Sequence, residues 1–299
     1  MKRILPWLLL LILGIIWGTN FLFMKLAVAV IPPLEVAWLR TLFGAIPIAG
    51  FALATRALDR TDWRYLHHFA AMALLANVGP YVFFILGTQR LPSGTAGVIS
   101  GAIPFITAAV VAIALPTETL TRSKIIGIAI GFVGVVLVAP LGQGGAQHSG
   151  SLFGVAAMLA GSLSYALALV YAKRFVTPLG MSAVRLATYQ MIIAFILMAP
   201  FAAPGHWALL ASHPAALLGL IVGLGLLGTG IAFVIYYYLI AEIGALKAAS
   251  VYYIPPVVAL SVGAAFADEH VGFRQMGGAL LIMAGIFYAN RPKRAPSSE

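Results

Sequence analysis

Residues 103–134 read IPFITAAVVAIALPTETLTRSKIIGIAIGFVG, and residues 254–285 read IPPVVALSVGAAFADEHVGFRQMGGALLIMAG. The two stretches align without a gap at a constant offset of 151 positions. The chain therefore contains an internal duplication. In a membrane protein a duplicated unit predicts a transporter whose substrate site lies between the two halves. Identical residues at this offset include Ile103 and Ile254, Pro104 and Pro255, Ala108 and Ala259, Glu118 and Glu269, Gly127 and Gly278, and Gly134 and Gly285.

The composition predicts an all-α polytopic membrane protein. The chain is 62% hydrophobic and only 9% charged, whereas soluble domains carry about 25% charged residues. Its apolar runs are continuous, which excludes the alternating strands of a membrane barrel. Ten runs have the length that a membrane-spanning helix needs. These predicted helices are 5–30, 34–54, 66–88, 93–115, 122–139, 150–172, 181–201, 214–240, 246–266 and 272–290.

The net charge of +10 is distributed as membrane topology requires. If the N-terminus is cytoplasmic, ten crossings return the C-terminus to the same side. Of the 18 Lys and Arg residues, 14 then lie inside, and Lys25, Arg40, Arg90 and Arg274 lie outside. This positive-inside pattern explains the basic charge without nucleic acid as a partner. We expect a multi-pass protein of the bacterial inner membrane with both termini cytoplasmic.

Five helices in each half make the duplication an inverted repeat. An odd number of crossings turns the second copy upside down, so the pseudo-two-fold axis lies in the membrane plane. The predicted repeats are residues 1–145 and 146–299. A weaker correspondence, at an offset of 148 positions, aligns Trp17 with Tyr165 and Lys25 with Lys173.

Several motifs resemble a known transporter family. The sequence WGTN at 17–20, the two proline-containing helices that precede Glu118 and Glu269, and the repeated glycine pairs resemble the two EamA repeats of the drug/metabolite transporter superfamily. Within it, the chain is most similar to bacterial aromatic amino-acid and metabolite exporters of the YddG type. The resemblance implies a ten-helix bundle with a central cavity and export of amino acids or similar metabolites. The second half has LSYA at 163–166 instead of WGTN, so the halves need not contribute equally.

Polar and aromatic side chains near the middle of the predicted helices are the candidates for a substrate site. Such groups are costly against lipid and usually face the bundle interior. Trp17, Asn20, Phe21 and Met24 share one helical face. Core packing of the aromatics and close helix contact at the small residues are the alternatives. The predicted substrate-binding residues are Trp17, Asn20, Asn77, Tyr81, Phe84, Ser100, Tyr165, Tyr237 and Tyr252.

Proline within a span is a mechanistic signal, because it removes a backbone donor and kinks a helix. Pro104 and Pro255 are predicted hinges for rocking one repeat against the other; a static kink is the alternative. Glu118 and Glu269 end the equivalent helices. They are expected to cap the next helix, with a role in gating or coupling as the alternative.

The charges limit the transport mechanism. No Asp or Glu falls in the middle third of a predicted span, which favours a facilitator or exchanger over a tightly coupled pump. The lack of Lys or Arg at mid-membrane argues against phosphate esters and nucleotide sugars. Lys25, Glu35 and Arg40 fall near the outer ends of the first two helices, where they could bind a carboxylate or form structural ion pairs.

Other functions remain open at this point. An exporter of lipophilic drugs or other metabolites could use the same scaffold. An intramembrane enzyme is disfavoured because the six His are scattered and His67 and His68 have no third ligand nearby. A structural or receptor subunit would leave the duplication unexplained. We expect no catalytic residues, metal or cofactor and no obligate protein partner; the expected partners are a small-molecule substrate and the lipid bilayer.

Overall fold

The computed structural model describes residues 4–114, 121–139, 146–201 and 206–289, and the regular structure in these residues is entirely helical. Helices occupy all ten predicted runs, and the largest difference at an end is in α6, which continues to Leu179. A short helix, Trp207–Ala211, precedes α8. The long helices are α1 Leu5–Val28, α2 Pro33–Ala54, α3 Asp62–Arg90, α4 Ser93–Ala114, α5 Arg122–Val138, α6 Ser151–Leu179, α7 Ala183–Phe201, α8 Pro214–Ile243, α9 Ser250–Phe266 and α10 Phe273–Ala289.

Seven of these helices in the described residues, α1 to α4 and α6 to α8, are long and apolar enough to cross a membrane. The helices α9 and α10 are apolar but shorter. Large apolar side chains are exposed along the bundle, for example Ile113 and Leu280. In water such a surface would be unfavourable, whereas acyl chains solvate it. The chain is a polytopic membrane protein, and the number of crossings stays a prediction.

The helices α4 and α9 are interrupted at equivalent positions. In α4 the backbone N–H of Ala102 donates to Ile99 O at 2.9 Å, and the helix restarts at Ile103. In α9 a 3₁₀ segment, Ala249–Tyr253, precedes the restart at Ile254. Each tight turn therefore comes directly before the repeated Ile-Pro pair, which shows that the duplication extends to backbone conformation.

The predicted hinge prolines thus differ from expectation in one respect. Pro104 and Pro255 do not kink a continuous helix; each is the second residue of a helical segment that has just begun. A proline is tolerated there because the first-turn N–H groups have no intrahelical partner to lose.

Wider π-helical segments occur in α3 and α8. They span Leu74–Val78 and Gly219–Ile231. The second contains Gly223, Gly225, Gly228 and Gly230, and such a run weakens the regular helix because glycine is a poor helix former. Distortions of this kind are frequent at functional sites. Here they carry two buried polar residues of the bundle centre, Asn77 and Thr229.

The helices α5 and α10 pack through glycines in a symmetric way. A Cβ atom at Gly127 would lie 2.6 Å from the carbonyl oxygen of Gly285, and one at Gly134 would lie 2.7 Å from that of Gly278. The offset of 151 maps the first pair onto the second. The two helices are therefore antiparallel and related by a local two-fold axis. Their backbones touch because no side chain separates them.

The bundle centre is built from helices of both halves of the chain. The helix α2 packs on α8, α3 on α6, and both α1 and α4 on α9. Close approach is achieved at small residues, as where Gly97 of α4 meets Ala259 of α9. The largest buried cluster includes Phe21, Tyr81 and Phe84. This interleaving brings residues far apart in sequence to one interior region.

Candidate functional site

Trp17 is surrounded by tyrosines from the second half of the chain. Its ring stacks on that of Tyr252 with centroids 5.6 Å apart and an interplanar angle of 25°, and lies 5.4 Å from the ring of Tyr236. The hydroxyls of Tyr236 and Tyr252 are close enough to interact. We refer to Trp17, Tyr236 and Tyr252 as the aromatic cluster. It joins α1, α8 and α9, and all three rings are only partly buried.

Tyr165 connects this cluster with the interior of α3. Its ring lies 5.8 Å from that of Phe84, which in turn makes an edge contact with Phe21 at 6.5 Å. The Tyr165 hydroxyl lies near those of Tyr81 and Tyr252. Aromatic residues from α1, α3, α6 and α9 therefore converge, and Tyr165, Phe84 and Tyr81 of the predicted site are among them.

Arg40 is the unexpected residue of this interior. It lies on α2 with 6% of its surface exposed, and its guanidinium carbon sits 4.1 Å from the centroid of the Tyr81 ring. Its Nε donates to Thr229 Oγ1 at 3.0 Å. Asn77 Nδ2 lies 3.4 Å from the Tyr81 hydroxyl. We refer to Arg40, Tyr81, Asn77 and Thr229 as the cationic cluster.

This placement bears on two inferences from the sequence. The side chains of Lys25, Glu35 and Arg40 do not form one cluster: Glu35 Oε2 contacts His206 Nδ1 at 2.7 Å, and Lys25 donates to the carbonyl of Leu91 at 2.9 Å. The argument against phosphate esters and nucleotide sugars assumed no cation at mid-membrane, and Arg40 is a cation buried among the helices. Arg40 is the eighth residue of α2, so it lies about 10 Å along the helix axis.

Asn20 and Asn77 each keep an unpartnered oxygen. Asn20 Nδ2 is 3.5 Å from Gly228 O, and Asn77 Nδ2 contacts Tyr81 and the sulfur of Met191, yet neither Oδ1 atom has a hydrogen-bond partner. Both side chains are at least 95% buried. A buried amide oxygen without a donor is costly. The two predicted residues therefore offer acceptors that a ligand can satisfy.

The remaining predicted residues are less available. Ser100 Oγ donates to Gly97 O at 2.6 Å, so its hydroxyl is engaged within α4. Tyr237 stacks on Phe233 at 6.0 Å and interacts electrostatically with Tyr81. Tyr237 thus adjoins the cationic cluster, whereas Ser100 serves the turn of α4.

Glu269 caps a helix, but not the next helix along the chain. Its two carboxylate oxygens accept from the backbone N–H groups of Ser93 and Gly94, at 2.5 and 2.8 Å, at the start of α4. Lys25 interacts with the same carboxylate electrostatically. A negative charge is favourable at a helix N-terminus. The cap ties α9 of one half to α4 of the other; Glu118, its sequence counterpart, lies outside the described residues.

An apolar groove of about 400 Å³ lies elsewhere, between α4, α5 and α6. Phe105, Phe132 and Leu163 are among the residues that line it. None of the predicted substrate-binding residues borders this groove. The predicted residues converge instead on the interior between the two halves.

Comparisons with known proteins agree with this architecture. The EamA-like transporter family model matches residues 5–139 and again residues 152–291. A solved structure described as "Crystal structure of protein" has a TM-score of 0.65 at 20% identity and covers 98% of this chain and 99% of its own. That likeness concerns the fold.

Curated relatives cover most of the chain. "Uncharacterized inner membrane transporter YedA" of Escherichia coli K12 is 32% identical, with 86% of this chain and 81% of the relative covered. "Uncharacterized transporter YoaV" of Bacillus subtilis is 28% identical over 91% and 92%. "Probable amino-acid metabolite efflux pump" of Salmonella typhimurium is 26% identical over 93% and 92%. The chain belongs to the EamA-like transporter family, within the drug/metabolite transporter superfamily.

Proposed function

We propose that this protein transports amino acids, including aromatic ones, and similar small metabolites across the inner membrane by alternating access between its two repeats. The observation that carries the proposal is the aromatic cluster beside buried, unpartnered amide oxygens at the contact of the two halves. An aromatic side chain can stack on Trp17, Tyr236 or Tyr252. The amide oxygens of Asn20 and Asn77 can accept hydrogen bonds from an ammonium group.

The topology in this proposal is ten crossings in two inverted repeats, 1–145 and 146–299, with both termini in the cytoplasm. The 14 inner Lys and Arg residues support this orientation. Export as the direction rests on the name of the Salmonella relative, an efflux pump for amino-acid metabolites.

Movement between access states would use the interrupted helices. The turns before Pro104 and Pro255 break the regular hydrogen-bond ladder at equivalent places. The Glu269 cap on Ser93 and Gly94 lies at the end of the bundle that the charges assign to the outside. We propose that the outer end is closed in this conformation and that the cap must separate for it to open.

The proposal favours facilitated transport or exchange. In the described residues, Glu35, Asp62 and Glu242 lie in the terminal turns of their helices, and Asp59, Asp268 and Glu269 lie in loops. None is placed to carry a proton through the membrane centre. Export of lipophilic cations on the same scaffold is disfavoured, because the buried charge of Arg40 would repel them.

Counterflow in proteoliposomes tests the proposal. Purified protein is reconstituted with unlabelled phenylalanine inside, and uptake of labelled phenylalanine, alanine, a sugar, a nucleotide and a cationic drug is measured. We expect phenylalanine to exchange fastest and the sugar, nucleotide and drug to remain at the level of empty liposomes. Exchange of the drug without exchange of either amino acid would reject the substrate assignment. Accumulation of phenylalanine driven by a pH gradient would reject facilitated transport.

A further inference from the structure

We infer that the guanidinium of Arg40 is the binding site for the carboxylate of the transported substrate. The inference rests on the proposed function. It adds that the substrate carries an acidic group and that Arg40 binds this group. Neither the family assignment nor the relatives' names specify such a residue.

The guanidinium is held in place but not neutralised. Its Nε donates to Thr229 Oγ1 at 3.0 Å, its face covers the Tyr81 ring, and Nη1 makes only a long contact of 3.8 Å with the sulfur of Met24. No carboxylate of the described chain lies within ion-pairing distance of it. Glu35, the acidic residue nearest in sequence, is engaged by His206.

A buried arginine in this state is unfavourable without a ligand. A charge removed from water costs several kcal/mol unless an opposite charge approaches it. The ring of Tyr81 and the hydroxyl of Thr229 compensate only in part. A ligand anion would complete the site, and ionisable residues inside a membrane are functional for this reason.

A carboxylate fits the groups that surround Arg40. The planar guanidinium can offer two parallel N–H donors to the two oxygens of a carboxylate. Asn77 contacts the hydroxyl of the Tyr81 ring under Arg40, and Asn20 contacts Gly228, the neighbour of Thr229. The Asn77 amide thus shares Tyr81 with the guanidinium, and the Asn20 amide contacts the residue next to its partner Thr229. The guanidinium can bind the carboxylate of an amino acid, and the two amide oxygens can accept hydrogen bonds from its ammonium group.

The experiment compares ligands that carry a carboxylate with ligands that lack one. Thermal stabilisation of the detergent-purified protein is measured with L-phenylalanine, 3-phenylpropanoate, L-phenylalaninamide and inorganic phosphate. The variants are Arg40→Gln, Arg40→Lys and, as a matched control, Arg90→Gln at the exposed end of α3. Counterflow of phenylalanine is measured on the same preparations.

We expect the wild type and Arg90→Gln to bind the two carboxylates about tenfold or more tightly than the amide. In Arg40→Gln this preference should disappear, and the ligand-free protein should melt at the same or a higher temperature because an unpaired buried charge has been removed. A structural role would instead lower the melting temperature and leave the preference unchanged, which would overturn the inference. Stronger stabilisation by phosphate than by either carboxylate would also overturn it.

If Arg40→Gln does not fold, Arg40→Lys tests the role of Arg40 in its place. Lysine keeps the positive charge but cannot offer two parallel N–H donors. The affinity for the carboxylates should therefore fall about tenfold while the affinity for the amide stays constant. An equal fall for carboxylates and amide would contradict the inference. The transport function and the role of Arg40 can be rejected independently of each other. Arg40-dependent carboxylate binding without amino-acid counterflow would reject only the transport assignment, and counterflow with an unchanged carboxylate preference in Arg40→Gln would reject only the role of Arg40.

Discussion

The aromatic cluster and the cationic cluster lie in the same interior but differ in what they leave unsatisfied. Trp17, Tyr236 and Tyr252 contact one another, and two of their hydroxyls interact. Arg40 and Asn77 keep a charge and an amide oxygen without a counterpart in the described residues. The rings of the aromatic cluster are partners for one another, whereas the cationic cluster contains groups that, in our proposal, a ligand satisfies. Substitutions in the two clusters should therefore have different consequences.

The largest effect on transport that we predict within the clusters comes from the ring under Arg40. Tyr81→Leu removes a buried cation–π contact, which is worth about 2 kcal/mol, so phenylalanine counterflow should fall about thirtyfold. Tyr81→Phe keeps the ring and loses only a hydroxyl whose contact with Asn77 is 3.4 Å long. Its transport should stay close to wild type. Equal losses in the two variants would show that the hydroxyl, and not the ring, is required.

The next effect should depend on the substrate. Trp17→Ala removes a ring on which the substrate can stack, a contact worth about 1.4 kcal/mol, so counterflow of phenylalanine should fall about tenfold. Alanine has no ring to stack, and its exchange should change little. Trp17→Phe is the matched control and should retain most of the phenylalanine exchange. A parallel loss for both substrates in Trp17→Ala would indicate packing of the bundle in place of substrate contact.

A smaller effect is expected at the outer end, away from both clusters. Glu269→Gln removes the negative charge that caps Ser93 and Gly94, so the outer end should open more often. The chain contains no cysteine, so Ala96→Cys can report opening through labelling by a membrane-impermeant maleimide. Labelling should rise several-fold in Glu269→Gln and stay constant in Glu242→Gln, the control. Unchanged labelling in Glu269→Gln would show that the cap does not restrain this end.

The smallest effect on transport should come from the α5 and α10 contact. In Gly134→Ala the new methyl group would lie 2.7 Å from the carbonyl oxygen of Gly278, which costs about 1 to 3 kcal/mol of stability. Gly50→Ala adds a methyl group where no atom lies within 4 Å and should be neutral or stabilising. The melting temperature of Gly134→Ala should be lower than that of Gly50→Ala, while the transport rate per folded molecule stays constant. A changed carboxylate preference in Gly134→Ala would link this contact to the cationic cluster.

The sequence predicted the helices well because hydrophobic length is a local property. It also selected Trp17, Tyr81, Tyr165 and Tyr252 as substrate-binding candidates, because their positions in the helices are visible in one segment at a time; their binding of substrate stays a prediction. The buried position of Arg40 was missed. Its position along α2 could be counted, but its partners, Tyr81 and Thr229, come from other helices. An arginine about two turns into an apolar run was the signal that could have revealed it.

Glu269 shows the same limit. A carboxylate at the end of one helix is normally expected to cap the next, and local sequence contains nothing against that expectation. The actual donors, Ser93 and Gly94, lie 176 and 175 positions away. Helix propensity and charge predict that a cap is needed, but the packing of the two halves decides which helix receives it.

The glycine contact between α5 and α10 has the form of an interface between identical subunits. Gly127 contacts Gly285, and Gly134 contacts Gly278. Each of the two glycine positions of the repeat therefore takes part in both contacts, once from α5 and once from α10. Isologous dimers are built by this rule, in which one surface patch is complementary to itself. A single five-helix chain inserted in both orientations would make the same contact with its own copy. The covalent link between the halves then allows the sequence of each to diverge from that of the other.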